Sequence, residues 1–217
     1  KAVKEGRRIF DNIRKFIKYT MTSNSGELWT LFLAPLLGLP IPLLPIHILW
    51  INLVTDGLPA LALAMEPGEK NIMQRPPRKS DESIFAGGIA FHIIWVGLLI
   101  GGLTIGTQAY EIYTDSEHWQ TIVFTVLCLA QMWHVLAVRS DTASLFTQGL
   151  MSNKLLTVAV SLTFILQLAI IYMPFLNVFF NTQPLTLFEL LTGILVSSVV
   201  FFAVEIEKFF KRRKMRR

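Results

Sequence analysis

Two acidic residues, Glu27 and Asp56, lie inside long apolar stretches of this sequence. A carboxylate at the centre of a membrane-spanning helix costs roughly 2.5–3.5 kcal/mol on insertion scales. No Lys or Arg lies at the same predicted depth to neutralise either acid. We therefore expect an ionised carboxylate at these positions to need a cation or a proton.

Polar neighbours of both acids offer further oxygen atoms. Asn24 lies three residues before Glu27 and so on the same helix face. Asn52, Thr55 and Asp56 cover an arc of about 100° on a helix with 3.6 residues per turn. The two segments together present carboxylate, amide and hydroxyl oxygens.

A helix break accompanies the second acid. Pro59 cannot donate a hydrogen bond to the carbonyl of Thr55, and Gly57 loosens the same turn. Free carbonyls at membrane depth are tolerated where they line a cavity or meet an ion, and broken helices at the midplane commonly form transport sites. Such an oxygen set suits hard cations such as Ca²⁺, whereas Zn²⁺ and Cu prefer His or Cys.

Gln131, near the middle of another apolar stretch, is a further candidate ligand. Polar residues in helix bundles also make interhelical hydrogen bonds, and this alternative stays open for Gln131. Four glycines at small-residue spacing (Gly97, Gly101, Gly102 and Gly106) predict a face for close helix packing. Four histidines lie near the ends of apolar stretches, where we expect interfacial hydrogen bonds rather than metal ligation: His47, His92, His118 and His134.

The apolar stretches predict the elements that position these residues. The chain has 217 residues, of which 53% are hydrophobic and 16% charged, below the roughly 25% charged residues of soluble domains. Blocks of about 20 apolar residues can cross a bilayer as helices. We predict an all-α membrane protein, a six-transmembrane-helix bundle with the spans Phe16–Leu37, Leu43–Met65, Ile84–Ala109, Trp119–Val138, Leu155–Met173 and Leu185–Val204.

The basic residues predict one orientation in the membrane. All 20 Lys and Arg lie before or at the start of the first span, after the second, after the fourth or after the sixth. The remaining loops contain no basic residue, and one of them holds Glu111, Asp115 and Glu117. The positive-inside rule therefore places both termini in the cytoplasm. The net charge of +5 reflects topology, and we expect the lipid bilayer, not nucleic acid, as a partner. The basic cluster near the C-terminus could also bind anionic lipid.

These patterns divide the chain into regions. We expect a cytosolic stalk (1–18) that continues into the first span, an ion-binding helix pair (16–65), a cytosolic coupling loop (66–83), a four-helix support bundle (84–204) and a basic cytosolic tail (205–217). An amphipathic surface helix is the alternative for residues 1–18. The chain begins at Lys rather than Met, so we expect further chain upstream.

Several motifs together resemble one family. The run Ile48–Ala60 looks like the sixth transmembrane helix of P-type Ca²⁺-ATPases of the sarcoplasmic-reticulum type. Glu5–Tyr19 followed by Thr22–Glu27 is similar to the fifth helix and its stalk, and Asn71–Arg78 is similar to the loop between helices six and seven. The resemblance covers essentially the whole chain as helices five to ten.

The resemblance implies a set of cation ligands. It carries that role to five positions, with Asp56 bridging two sites: Asn24, Glu27, Asn52, Thr55 and Asp56. Asn52 favours calcium, since Na⁺/K⁺ pumps usually have Asp there. Secretory-pathway Ca²⁺/Mn²⁺ pumps usually lack the equivalents of Glu27 and Thr55. The sarcoplasmic pumps have Glu where this sequence has Gln131, which leaves the number of transported ions open.

The implied function is the membrane half of an ATP-driven Ca²⁺ pump. The phosphorylated Asp motif, the nucleotide domain and the Pro-Glu-Gly-Leu ligands of that family are absent from these 217 residues. We therefore expect ATP and Mg²⁺ to act only in a complete parent, whose cytosolic domains and helices one to four are partners of this chain. The alternatives are a stand-alone ion-binding or channel-like subunit and a pure scaffold. The expected location is a prokaryotic plasma membrane.

Overall fold

The computed structural model describes residues 1–68, 72–74 and 83–215, and these are helical with connecting turns. Most of the predicted coupling loop, including most of the Asn71–Arg78 motif, lies outside the described residues. The α-helices are α1 (Ala2–Leu36), α2 (Pro45–Trp50), α3 (Gly57–Ala64), α4 (Ile89–Tyr113), α5 (Trp119–Ala137), α6 (Leu145–Gln148), α7 (Lys154–Tyr172), α8 (Pro174–Phe180) and α9 (Leu187–Met215).

The all-α architecture is confirmed, but the number of apolar spans differs from the prediction. Among the described residues, five helical segments are long and apolar enough to cross a membrane: Pro45–Ala64, Ile89–Tyr113, Trp119–Ala137, Lys154–Tyr172 and Leu187–Arg213. The predicted span Phe16–Leu37 is not among them, because the polar run Thr22–Glu27 lowers its hydropathy. That segment is nevertheless the second half of α1, which runs unbroken from the predicted stalk.

The predicted helix break near Pro59 is confirmed and takes the form of a π-helical turn. Ile51–Asp56 is π-helical between α2 and α3. A π turn inside an α-helix widens the backbone and is frequent at functional sites. The carbonyl oxygen of Thr55, which Pro59 cannot serve, lies 3.2 Å from the hydroxyl of Tyr19, whose single hydrogen it shares with Asp56.

Only half of the predicted glycine face packs closely. A Cβ atom added at Gly101 would lie 2.7 Å from the Cβ of Trp29, and one added at Gly26 would lie 2.7 Å from Ile100, so α1 and α4 cross nearly backbone to backbone. Gly102 and Gly106 have no atom within 4 Å of an added Cβ. They line a groove of about 260 Å³ between α4, α5 and α9 instead.

The core of the bundle surrounds α5. This helix is buried over most of its length, whereas α7 and α9 expose most of theirs. It packs extensively on α9 and on α4, and it also contacts the π-helical turn. The segment predicted as a separate basic tail from residue 205 is helical through Met215 as a continuation of α9.

Candidate cation site

Glu27 is held by amide groups from two other elements. Its side chain is 5% exposed. The side-chain nitrogen of Gln131 on α5 donates to Oε1 of Glu27 at 3.0 Å, and that of Asn52 on the π-helical turn donates to Oε2 at 3.2 Å. Three of the predicted ligands therefore converge, although no basic side chain pairs with this carboxylate among the described residues.

Asp56 lies at the end of the π-helical turn and is also buried. Tyr19 on α1 donates its hydroxyl to Oδ1 of Asp56 at 3.0 Å. The other carboxylate oxygen, Oδ2, is buried and has no hydrogen-bond partner among the described residues. A buried acceptor without a partner is costly, so this oxygen is available to a ligand.

The other predicted ligands are divided between interior and surface. Thr55 is fully buried and donates its hydroxyl to the sulfur of Cys128 at 3.6 Å. Asn24 is exposed and makes no side-chain hydrogen bond within the described part of the chain. The structure therefore brings Asn24 close to Glu27 only through their shared helix.

The donor set is made of oxygen rather than nitrogen or sulfur. Within the described residues, no three side chains from His, Cys, Asp and Glu come together at a point that could hold a metal ion. Two carboxylates supplemented by amide, hydroxyl and carbonyl oxygens match the preference of Ca²⁺ and similar hard cations. The unpartnered Oε1 of Gln131 belongs to the same set.

Sequence reasoning missed a second buried polar centre at the other end of α3. Arg139 is 1% exposed and donates to both oxygens of Glu66, the shortest contact being 2.8 Å. The side chain of Asn153 donates to Glu66 Oε2 at 2.6 Å. Asn12 of α1 donates to the backbone carbonyls of Ala64 and Glu66 at 3.0 and 2.8 Å. This cluster (Asn12, Glu66, Arg139 and Asn153) joins α1, α3, α5 and α7.

A further ion pair joins α1 to the loop after α5. Lys18 Nζ lies 2.8 Å from Asp141 Oδ1. The Asp141 side chain is 52% exposed, and the charge and hydrogen bond of the Lys18 ammonium hold its pKa well below its ordinary value. Asp141 is therefore ionised at neutral pH and keeps the loop attached to the predicted stalk.

Several of these partners left little signal in the sequence. Tyr19, Cys128 and Arg139 are isolated residues that belong to no recognisable motif. The periodicity of their segments does not distinguish them from packing residues. Only their partners in other elements identify them. The one available hint was Pro59, whose missing N–H requires that another donor serve the carbonyl of Thr55.

Comparison with known proteins finds one matching family model. Residues 40–210 match the family described as the C-terminus of cation-transporting ATPases. The matched range includes the π-helical turn and Gln131, whereas Glu27 lies before it.

Curated relatives cover nearly the whole chain. It is 45% identical over 188 residues to a calcium-transporting ATPase of Bacillus subtilis, covering 85% of this chain and 21% of that protein. It is 38% identical to calcium-transporting ATPase 1 of Bacillus cereus, covering 98% of this chain and 26% of that protein. It is 32% identical to the endoplasmic reticulum calcium ATPase srcA of Aspergillus fumigatus, covering 98% of this chain and 25% of that protein. The chain thus spans about a quarter of the length of the relatives it matches.

Proposed function

Since the chain belongs to the cation-transporting ATPase family, as the C-terminal region of such proteins, we propose that it forms the membrane half of an ATP-driven Ca²⁺ pump. The relatives are named as calcium-transporting ATPases of bacteria and fungi. The oxygen donors around Glu27 and Asp56 support the same ion.

One observation supports this proposal above the others. Asp56 has a buried carboxylate oxygen with no partner among the described residues, beside a π-helical turn. An ordinary structural acid in a helix bundle has its hydrogen bonds satisfied. An acid that completes its coordination only when a cation arrives keeps such an oxygen free.

The proposed ligands are Asn24, Glu27, Asn52, Thr55, Asp56 and Gln131. Asn24 and Asn52 are exposed in this chain, and we expect preceding helices of a longer protein to cover them and to complete the cage. ATP and Mg²⁺ act on cytosolic domains of that protein. Its phosphorylation would move α1 and switch the cage between inward-facing and outward-facing states.

The empty cage needs protons. Without a cation, Glu27 and Asp56 are two buried acids served by neutral donors only, and the cost of their charges favours protonation. A proton on Glu27 is therefore the proposed counter-transported species.

The test is an Asp56→Asn variant of the complete pump in inside-out membrane vesicles. We expect it to lose Ca²⁺ binding and ATP-dependent Ca²⁺ uptake, because the bridging negative charge is removed while the shape of the side chain is kept. Asp115→Asn is the matched control, since Asp115 is exposed in the loop between α4 and α5 and its φ of 51° suits Asn. Unchanged Ca²⁺ affinity in Asp56→Asn would refute the assignment.

A further inference from the structure

Residues 173–188 connect two membrane-spanning helices without a single charged side chain. The segment follows α7, which ends at Tyr172, and leads into α9, which begins at Leu187. Both helices expose most of their apolar surface and so face lipid. The loop between α4 and α5, which is predicted on the same side of the membrane, holds Asp115 and Glu117 instead. The two extracytoplasmic connections therefore suit different surroundings.

The uncharged connection contains the short helix α8, which presents an apolar face to the outside. Phe175, Val178 and Phe179 follow the i, i+3, i+4 spacing of a single helix face. Their side chains are 82, 86 and 62% exposed. Large apolar side chains grouped on one face mark a surface for lipid or for a protein partner.

The opposite face of α8 is fixed to the bundle. Asn177 donates to two carbonyls in the last turn of α7, at 2.7 and 2.8 Å, which would otherwise have no donor there. The ring of Phe180 packs edge-on against Trp50 with centroids 5.3 Å apart. His47 accepts a backbone N–H at Nδ1, so its Nε2 donates to the carbonyl of Phe180 at 2.7 Å. Because of these contacts, α8 cannot turn its exposed face toward the protein interior.

We propose that α8 is an interfacial helix whose exposed face inserts among the acyl chains of the extracytoplasmic leaflet. Its position between two lipid-facing spans makes this face an extension of the surface that those spans present to the bilayer. Helices with an apolar face of this kind lie with that face about 5–10 Å into the boundary between headgroups and acyl chains. A second copy or another protein fits less well, because three side chains expose far less than the roughly 800 Å² per partner that a stable protein interface buries.

Nitroxide spin labels test the depth of α8 in the complete pump, reconstituted in liposomes of phosphatidylethanolamine and phosphatidylglycerol. One label is attached at Val178→Cys, and reactive cysteines elsewhere in the protein are replaced by serine, whereas the buried Cys128 stays. Power saturation compares collisions with oxygen, which concentrates among acyl chains, and collisions with a nickel chelate that stays in water. Glu117→Cys, which is exposed in the loop between α4 and α5, is the matched control. We expect the ratio of oxygen to chelate collisions to be several-fold higher at position 178 than at position 117.

Phe175→Cys is a second label site on the same face and covers the case in which Val178→Cys does not fold. Equal ratios on α8 and at Glu117→Cys would overturn the inference, since the face would then lie in water. Protection of the label from both reagents would overturn it as well, because a second copy or another protein would then cover α8. The measurement involves no Ca²⁺, so its outcome is independent of the proposed function.

Discussion

Individual buried acids in this chain differ in how their charge is balanced. Glu66 receives a guanidinium and an amide, so its charge is neutralised within the protein. Glu27 receives only neutral amide donors, and Asp56 receives one hydroxyl. A buried charge that is balanced internally needs no further partner, whereas one left unbalanced attracts a cation or a proton. This contrast separates Glu66, a structural residue, from the two proposed ligands.

The structural role of Glu66 predicts the effect of removing its partner. Arg139→Met leaves the buried Glu66 carboxylate without a countercharge and should destabilise the protein by about 3–5 kcal/mol. Thermal unfolding in detergent measures this loss. Lys154→Met is the control, since Lys154 is exposed at the start of the next long helix.

A double variant tests whether the Arg139 effect arises from the pair. Adding Glu66→Gln to Arg139→Met removes the stranded charge and should recover part of the lost stability. If Arg139→Met were no more destabilising than Lys154→Met, the pairing would not matter to the fold.

Helices in this bundle combine a rigid contact with a deformable one. The glycines at the crossing of α1 and α4 allow close backbone approach over about one turn of α4, which makes this crossing a rigid contact. The π-helical turn beside them interrupts the regular hydrogen bonding between α2 and α3. A displacement of α1 is therefore expected to act on the site through the π-helical turn, since the crossing itself cannot yield.

Alanine substitutions at two neighbouring glycines of α4 test whether the crossing of α1 and α4 is closely packed. Gly101→Ala places a methyl group 2.7 Å from the Cβ of Trp29 and should destabilise the protein by about 1–3 kcal/mol through overpacking. Gly102→Ala meets open space and should stabilise it by up to about 1 kcal/mol through helix propensity. Melting curves of the two variants compare them directly, and equal effects would contradict close packing at this crossing.

For the whole molecule, the distribution of basic residues sets the predicted orientation. Arg139 and Lys154 flank one loop, and Asp115 and Glu117 belong to another, just after Glu111 in the last turn of α4. The positive-inside rule assigns these two loops to opposite sides of the membrane. The same orientation places the C-terminal end of α9 on the cytoplasmic side.

Labelling of introduced cysteines tests this orientation. Asp115→Cys should react with a membrane-impermeant maleimide in intact cells, because its loop is predicted to face outward. Met151→Cys, in the opposite loop and 71% exposed, should react only after the cells are permeabilised. Cys128 is buried and should stay unlabelled in both variants. Labelling of Met151→Cys in intact cells would reverse the proposed topology.

The sequence by itself determined the helical class, the last five of the six predicted apolar spans and two of the buried acids, Glu27 and Asp56. These follow from local patterns: a helix must satisfy its own backbone in lipid, so a block of about 20 apolar residues has only one regular structure available. Pro59 and Gly57 likewise located the helix break, because both act on their own turn. The sequence identified the first span less clearly as a membrane segment, since the polar run Thr22–Glu27 lowers its hydropathy.

Only the tertiary structure decided which side chains meet. The partners of Asp56, Glu66 and His92 are 37, 73 and 42 residues away along the chain, and no periodicity relates residues so far apart. Whether Gly101 or Gly102 packs closely depends on which face of α4 meets α1. Charge balance in a membrane interior is a property of contacts between helices, so the role of each buried acid emerges only when its neighbours in other helices are known.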